Sequence, residues 1–455
     1  MSETDRTGGS TLGLAARLYQ HLPFGGSSRR GRSVYEGGHR MSTRNRWAAL
    51  AVLGAVLAAA AATASAVVAS PAVTHKAKPI PSFRLRIGTV LPFTGDLSAV
   101  GPSIDASARL ATNVINAALK KDKLDKKISV KIVDSQDDQT STQPAIEAAT
   151  KEVKVDKVNV IVGTMSSQST IAMAQAVTIP NNVVVITPTS SAPQITTLQD
   201  NNTVWRILPS DLFQGKAMAR AVADAFGKTA TINLGARNDA FGTALEQVFA
   251  NTWKASGGKI GTEVSWDPNQ ASFDSEAQKL TSGNPAGWVI IDFPETFAKV
   301  GPALIRTGKW TPTKTFMNDV MSIPASLQQV GAQATTGLRG VAPTSQSASV
   351  KQTGAFAKLF KAREPGKPVS GYEGTSFDAV MLAFLASLQG RSASPNAIKA
   401  NLRGISGPTG TPVTYLNLAQ AIKLVLAGKR IAYGLAAGSS GCVLLSCCIR
   451  ALNAR

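Results

Sequence analysis

The chain has 455 residues, 44% of them hydrophobic, and a formal charge of +20, so it can bury one large core or two. All three histidines precede residue 84 and all three cysteines follow residue 433, which leaves residues 84–433 without imidazole or thiol. The absence of these side chains excludes Ser-His-Asp and Cys-His catalysis and the usual zinc ligand sets. The stretch also has no Walker-type phosphate loop and no GxGxxG fingerprint. The sequence therefore predicts a protein without cofactor that is not an enzyme, and an all-carboxylate site is the remaining catalytic alternative.

The N-terminal part is typical of an exported protein. Residues 41–46 are basic, 47–62 are apolar, and Ala64-Ser65-Ala66 follows as a cleavage site, so 41–66 is interpreted as a signal peptide. No cysteine follows it, which excludes lipid attachment there, and an uncleaved membrane anchor is the alternative. Residues 1–40 are interpreted as an over-extended start or a disordered cytoplasmic tail, and 67–83 as a linker.

From residue 84 onward, strand-like and helix-like patterns alternate. Strands are predicted at 85–91, 128–133, 158–162, 183–186, 231–234, 288–291 and 314–317. Helices are predicted at 99–119, 144–153, 212–226, 240–255, 273–280, 295–306 and 376–388. Such alternation implies parallel sheets covered on both faces, and the length exceeds one comfortable core. The expected fold is α/β, with two doubly wound parallel-sheet lobes joined by a hinge.

A run of lysines at 119–127 contributes to the basic charge of this region. The lysines alternate with acids and have no interleaved aromatic residues, so a solvated loop explains them better than a nucleic-acid site does. No nucleic-acid partner is predicted. Weak, salt-dependent contact with anionic lipids or wall polymers is the other interpretation of the charge.

Two polar turns follow apolar, β-branched runs and carry the strongest functional signal. They lie in residues 161–170, IVGTMSSQST, and residues 183–193, VVVITPTSSAP. Ser166 or Ser167 is placed to cap the helix that follows the first turn. Hydroxyls and free N–H groups at the carboxyl ends of parallel strands can bind a small anionic group such as a carboxylate. Ordinary loops with capping serines are the alternative.

These turns, taken with other motifs in a fixed order, resemble the type I periplasmic-binding fold, and in particular the branched-chain amino acid binding proteins of ABC importers. The motifs that carry the resemblance are 87–95 (IGTVLPFTG), 132–137 (IVDSQD), the two turns, and the pair 205–206. The resemblance covers about residues 84–430. It implies two lobes that close on one small ligand.

The resemblance also implies roles for individual residues. Ser167 matches a serine that contacts the ligand carboxylate, and Thr189 and Ser191 match contacts at the next strand end. Asp211 matches an acid near the hinge, with a helix N-cap as the alternative. Phe241 matches an aromatic lid from the second lobe, with helix-start core as the alternative.

One departure concerns the acid that pairs with the ligand ammonium in the family. Simple alignment places Val320 there, with Asp319 one residue earlier, and such a shift can turn a side chain away from the cleft. Either Asp319 replaces the family's glutamate or the ligand has no ammonium. Asp292 and Glu295 are weaker substitutes.

The resemblance implies lobe boundaries and a function. The first lobe is expected at 84–207 and 342–408, the second at 208–341 and 409–433, with a turn-rich return across the hinge at 401–410. The expected function is delivery of an amino acid or similar small polar ligand to an ABC permease outside the cytoplasm. A ligand-binding sensor that signals to a partner is the alternative.

Residues 434–455 differ abruptly in composition from the rest and contain every cysteine. A disulfide or metal cluster is disfavoured because Cys447 and Cys448 are adjacent and no second ligand pair exists. A disruption of the reading frame near residue 433 fits better. It predicts that 434–455 packs poorly and that the second lobe lacks its last strands.

Overall fold

A computed structural model of the protein describes residues 79–323, 327–328, 330–342, 348–367 and 370–436. The first lobe is built on five parallel strands in the order β2-β1-β3-β4-β5. They are β1 (Phe83–Leu91), β2 (Ile128–Asp137), β3 (Val160–Gly163), β4 (Val184–Thr187) and β5 (Val204–Arg206). β3 and β4 are buried along their whole length, as expected for β-branched strands covered on both faces.

Helices from both ends of the chain cover this sheet. From the N-terminal half they are α1 (Gly101–Lys121), α2 (Thr142–Lys154), α3 (Ser167–Met173), which continues as one π turn, and α4 (Gln194–Thr197). From the C-terminal part they are α10 (Ala348–Arg363), α11 (Glu373–Gln389), α12 (Pro395–Ser406) and α13 (Leu418–Leu426). α11 is buried along nearly its whole length and lies at the centre of the first lobe's core.

The second lobe repeats this architecture with a sheet in the order β10-β9-β8-β6-β7, again parallel throughout. Its strands are β6 (Thr231–Arg237), β7 (Lys259–Trp266), β8 (Gly287–Ile291), β9 (Thr315–Met317) and β10 (Arg339–Gly340). Its helices are α5 (Asp211–Phe226), α6 (Gly242–Ala255), α7 (Asp274–Leu280), α8 (Pro294–Arg306) and α9 (Ala332–Thr335). Two doubly wound parallel-sheet lobes are therefore present, and the predicted fold class is confirmed.

The C-terminal part of the described chain belongs to the first lobe, not the second. β11 (Thr411–Val413) pairs in parallel with β12 (Ile431–Tyr433), and α13 lies between them in sequence. Val413, Ile422 and Tyr433 are buried in the same hydrophobic cluster as Leu85 of β1. The assignment of 409–433 to the second lobe was therefore wrong, because these apolar side chains complete the first lobe's core.

The predicted hinge return at 401–410 was also wrong over most of its length. Residues up to Ser406 form the second half of α12, which begins with Ser394 as N-cap and Pro395 in its first turn. Within the described residues, the chain passes between the lobes after β5 and again between β10 and α10. No described residue after Gly340 adds a strand to the second sheet.

Several predictions fall outside the described residues: the start at 1–40, the signal peptide at 41–66, most of the linker, and the cysteine-containing segment from residue 437. The frame disruption thus stays a prediction. Among the helices that the structure describes, none combines the length and the apolar character needed to cross a membrane.

Candidate functional site

The carboxyl ends of the two sheets face each other across a cavity with about 380 Å³ of empty volume, part of it open to solvent. Of the seven residues predicted for the site, five lie in its wall. The lining residues are Leu97, Met165, Ser167, Thr189, Ser191, Phe241, Phe293, Asp319, Val320 and Tyr372. Ser166 and Asp211 are buried nearby but are not part of this wall.

The Ser167 hydroxyl is held by the second polar turn. Its Oγ accepts hydrogen bonds from the N–H groups of Ser191, at 3.2 Å, and Ala192, at 3.1 Å. Both bonds use oxygen lone pairs, so the Ser167 proton remains able to donate. The Thr189 hydroxyl donates to the Met165 carbonyl at 2.9 Å, which leaves its oxygen as an acceptor towards the cavity. Ser167 is therefore the better donor to a ligand carboxylate.

Buried hydroxyls that the sequence analysis did not single out join the two turns. Thr170 shares hydrogen bonds of 2.8 Å with both Thr164 and Ser190. Thr187 donates to the Thr164 carbonyl at 2.6 Å. Because these side chains have 0–1% exposure, they satisfy the backbone of the strand ends and fix the spacing between the turns.

Gly163 allows this close approach at the end of β3. Its φ is +145°, a region that L side chains rarely adopt, and a Cβ there would lie 2.0 Å from the Val90 carbonyl oxygen. Any side chain at this position would push β3 away from β1 and displace the first turn.

Arg206, at the end of β5, stabilises the second turn by hydrogen bonds to its backbone carbonyls. One Nη donates to the carbonyls of Ser191, at 3.2 Å, and Ala192, at 2.9 Å. Burial lowers the pKa of Arg206 to about 10, so the guanidinium remains charged near neutrality. The Trp205-Arg206 pair in the sequence thus marks a residue that positions the turn without lining the cavity.

Asp319 faces the cavity from the second lobe. Its Oδ2 accepts the Tyr372 hydroxyl proton, and its Oδ1 accepts from the Gln214 amide at 3.0 Å. Burial raises the pKa of this carboxyl above its usual range, against the effect of both hydrogen bonds. Val320 also lines the cavity, because β9 ends at Met317 and Asp319–Ser322 form a 3-10 turn in which strand alternation no longer applies.

Asp211 lies behind the cavity wall, at the first position of α5, and the N-cap of that helix is Ser210. The alternative interpretation of Asp211 as the N-cap was therefore wrong. Its backbone N–H donates to the Ser191 carbonyl at 3.0 Å, which ties α5 of the second lobe to the second turn of the first. Burial, reinforced by the nearby Asp319, raises the pKa of Asp211 to about 7.

Two stacked aromatic rings close the cavity on the side of the second lobe. Phe241 precedes α6 and packs on Phe293, with ring centroids 5.2 Å apart and planes 21° from parallel. The Arg237 guanidinium lies 3.8 Å from the centroid of Phe293. Phe241 therefore both begins the helix and lines the cavity, while Phe293, at the end of β8, was not predicted.

Arg237 also connects the two lobes. Its Nη2 lies 2.9 Å from Oδ2 of Asp96, which follows β1 of the first lobe, and the Thr296 hydroxyl donates to the same oxygen at 3.0 Å. Its Nε donates to Asp239 at 2.6 Å. We call Asp96, Arg237 and Thr296 the interlobe latch. A further contact, from Ala240 N–H to the Gln168 side chain at 3.1 Å, holds the same edges together.

The weaker candidates for the ammonium partner lie away from the cavity. Asp292 is fully buried, 3.6 Å from Arg237, and burial raises its pKa to about 8. Glu295 is partly exposed in the first turn of α8. Among the described residues, no group of three His, Cys, Asp or Glu side chains is placed to hold a metal ion.

Comparisons with known proteins give one consistent result. A family model described as a periplasmic binding protein matches residues 84–422. The chain is 26% identical over 292 residues to the chemotactic signal transduction system substrate-binding protein BasB of Halobacterium salinarum, covering 61% of this chain and 65% of that protein. It is 28% identical over 225 residues to Leu/Ile/Val-binding protein homolog 3 of Brucella melitensis biotype 1, covering 48% and 56%.

The chain spans about half to two thirds of the length of the curated relatives it matches. Its fold is similar to that of the branched-chain amino acid transporter substrate binding protein LivJ from Streptococcus pneumoniae, solved in complex with isoleucine. The TM-score is 0.58 at 21% identity, over 71% of this chain and 88% of that one.

Proposed function

Because the chain belongs to the periplasmic binding protein family, we propose that it is an extracytoplasmic solute-binding protein of an ABC importer. It captures an amino acid or a similar small polar ligand between its lobes and delivers it to a membrane permease. The observation that carries this proposal is the cavity between the strand ends, where hydroxyls of the first lobe face an aspartate and two aromatic rings of the second.

Different groups of the cavity wall suit different parts of the ligand. The Ser167 proton suits a carboxylate on the side of the first lobe. The Thr189 oxygen, which is left as an acceptor, suits a donor group of the ligand. Asp319 suits an ammonium on the side of the second lobe. Phe241 and Phe293 cover apolar atoms between them.

Closure follows from the distribution of these groups over two lobes. A ligand that contacts Ser167 and Asp319 together does so only when the lobes are closed, so binding shifts the population towards the closed arrangement. The interlobe latch adds contacts that form in the same arrangement. A permease can then distinguish loaded from empty protein by shape.

A thermal-shift screen over amino acids, amides and organic acids identifies the ligand, since a ligand at 100 times its Kd stabilises by about 2.7 kcal/mol. Ser167→Ala should then weaken binding by roughly 1.5–3 kcal/mol, the usual value of a charge-assisted hydrogen bond. Ser169→Ala is the matched control, because Ser169 is buried on the same helix and is not part of the cavity wall. Calorimetry showing equal affinity for both variants would place the site elsewhere.

A second candidate function is sensing, in which the same closure signals to a receptor. It is favoured by the similarity to BasB, which is named as part of a chemotactic signal transduction system. A permease gene adjacent to this one would favour transport, and an adjacent sensor-kinase gene would favour signalling. Enzymatic turnover is tested by incubating the identified ligand with the protein and looking for any product.

A further inference from the structure

A second cavity, of about 510 Å³, lies beside the first, where the chain crosses from β5 into α5. Its wall is formed largely by apolar groups of Leu208, Pro209, Phe213, Ala217 and Val341. None of these residues belongs to the site predicted from the sequence. By empty volume, the cavity is larger than the one between the strand ends.

Two polar side chains of this second wall already form hydrogen bonds within the protein. The Gln214 amide donates to Asp319 at 3.0 Å, and the Ser210 hydroxyl oxygen accepts from the Leu212 N–H at 3.4 Å as the helix cap. Most of the remaining wall is apolar. Such a wall favours an apolar group over a polar or charged one, because a polar group would lose its water without gaining partners.

Phe213 provides an independent indication. It lies in the first turn of α5, lines the cavity, and is 59% exposed, although most large apolar side chains of the described chain are buried. The Phe213 ring would lose exposed apolar surface if an apolar group of a ligand occupied the cavity.

Ser191 and Asp319 border both cavities. The Asp319 carboxylate is held by Tyr372, from the wall of the first cavity, and by Gln214, from the wall of the second. The two cavities are therefore neighbours that share part of one wall.

From this geometry we infer that the ligand is an amino acid or carboxylate with an apolar tail longer than that of leucine, isoleucine or valine, and that the tail occupies the second cavity. The ligand class is thus linear aliphatic or arylalkyl. This inference rests on the proposed function, since it uses the polar site at Ser167 as the anchor for the head.

The test compares leucine, phenylalanine and 2-aminooctanoate, each with its desamino analogue, by calorimetry on the full-length protein. Affinity should rise with tail length. Ala217→Phe fills the second cavity and should lower the affinity for 2-aminooctanoate about tenfold or more, while leucine changes little. Ala225→Phe is the matched control, since Ala225 is an exposed alanine of the same helix outside the cavity wall, and it should change neither affinity.

Phe213→Ala gives a second readout that does not depend on overpacking. This substitution should lower the affinity for the longest ligand and leave the affinity for leucine unchanged. Equal affinities along the series, or equal losses for short and long ligands in Ala217→Phe, would overturn the tail subsite while leaving the proposed function in place. Failure of every amino acid, amide and organic acid in the thermal-shift screen to bind would instead overturn the proposed function itself.

Discussion

At the scale of single residues, Asp319 decides whether the ligand carries an ammonium. If Asp319 pairs with an ammonium, Asp319→Asn should weaken the binding of an α-amino acid by roughly 1.5–3 kcal/mol and the binding of its desamino analogue much less. The asparagine keeps the shape of the side chain, so Tyr372 and Gln214 retain a neighbour of equal size. Calorimetry with both ligands measures the difference, and equal losses would assign Asp319 to support of the fold alone.

Asp211 predicts an unusual dependence of stability on pH. Burial and the neighbouring Asp319 raise its pKa to about 7 from the usual 3.8, although Arg206 acts in the opposite direction. The folded state thus prefers the protonated acid, so the free energy of unfolding should fall as pH rises from about 4 to about 7. Asp211→Asn mimics the neutral form and should be more stable than the wild type at pH 8, with little difference at pH 4.

Asp274→Asn is the control with the opposite sign. A hydrogen bond from Arg306 lowers the pKa of Asp274, so its contribution is present above the unfolded pKa and is lost in acid. Denaturant unfolding of both variants between pH 2 and 8 measures the two slopes, that of Asp211 between about pH 4 and 7 and that of Asp274 below about pH 4. If the difference in unfolding free energy between the wild type and Asp211→Asn does not change with pH, Asp211 ionises with its usual pKa.

The sequence predicted the residues of the site unevenly. Ser167, Ser191 and Phe241 lie at strand or helix boundaries, where local pattern and the family resemblance singled them out, and the structure places them in the cavity wall. Their role in ligand binding stays a prediction. Phe293 and Tyr372 could not be identified as site residues from the sequence, because only the packing of distant segments brings them to the cavity. The uncertainty between Asp319 and Val320 arose from strand alternation, which ends at Met317.

At the scale of elements, the interlobe latch predicts how tightly the lobes close. Asp96→Asn removes the charge that faces Arg237 and Thr296, but Arg237 keeps Asp239 at 2.6 Å and so stays neutralised. Ligand affinity should fall by about 1–2 kcal/mol, mainly through faster dissociation. Stopped-flow release of ligand measures this rate.

Asp125→Asn serves as the control for the latch, since Asp125 lies in the lysine-rich turn between α1 and β2. It should leave the rate of ligand release unchanged. The effect of Asp96→Asn should also shrink at high salt, because Asp96 is partly exposed and the ion pair is screened. A release rate that does not change in Asp96→Asn would mean that the latch contributes nothing to closure.

Elements with clear periodicity were predicted within a few residues, and the misses have physical causes. β7 is an edge strand with exposed and half-buried residues over most of its length, so no apolar run marks it. α12 was interpreted as a turn because of Gly404 and the glycines that follow. Its helix holds because Ile398, Leu402 and Ile405 bury one face against the first lobe, which outweighs the cost of one glycine.

At the scale of the whole molecule, the two-lobe architecture followed from the alternation of elements, whereas the distribution of segments between lobes did not. Periodicity shows that a segment has an apolar face but not which core receives it. The family resemblance placed 409–433 in the second lobe, and burial places it in the first. The passages between lobes are set by these long-range contacts.

The last prediction tests this assignment by truncation. Ending the chain after residue 430 removes Ile431, Tyr433 and Leu435 from the first lobe's core, together with the Tyr433 hydroxyl that donates to Asp378 at 2.9 Å. Loss of this much buried apolar surface should destabilise the first lobe by several kcal/mol. Ending the chain after residue 436 is the matched control, because it keeps these side chains and the bond from Ala436 N–H to Asp378.

Hydrogen exchange of the two truncated proteins locates the effect. Amides of α11 and β1 should lose protection in the shorter protein, while those of β6 and β8 in the second lobe should change less, because their core cluster contains none of the removed side chains. Ligand affinity should fall together with the stability of the first lobe, since the turns at Ser167 and Ser191 depend on β3 and β4. Loss of protection confined to the second sheet would instead return residues 431–433 to the lobe that the sequence had predicted.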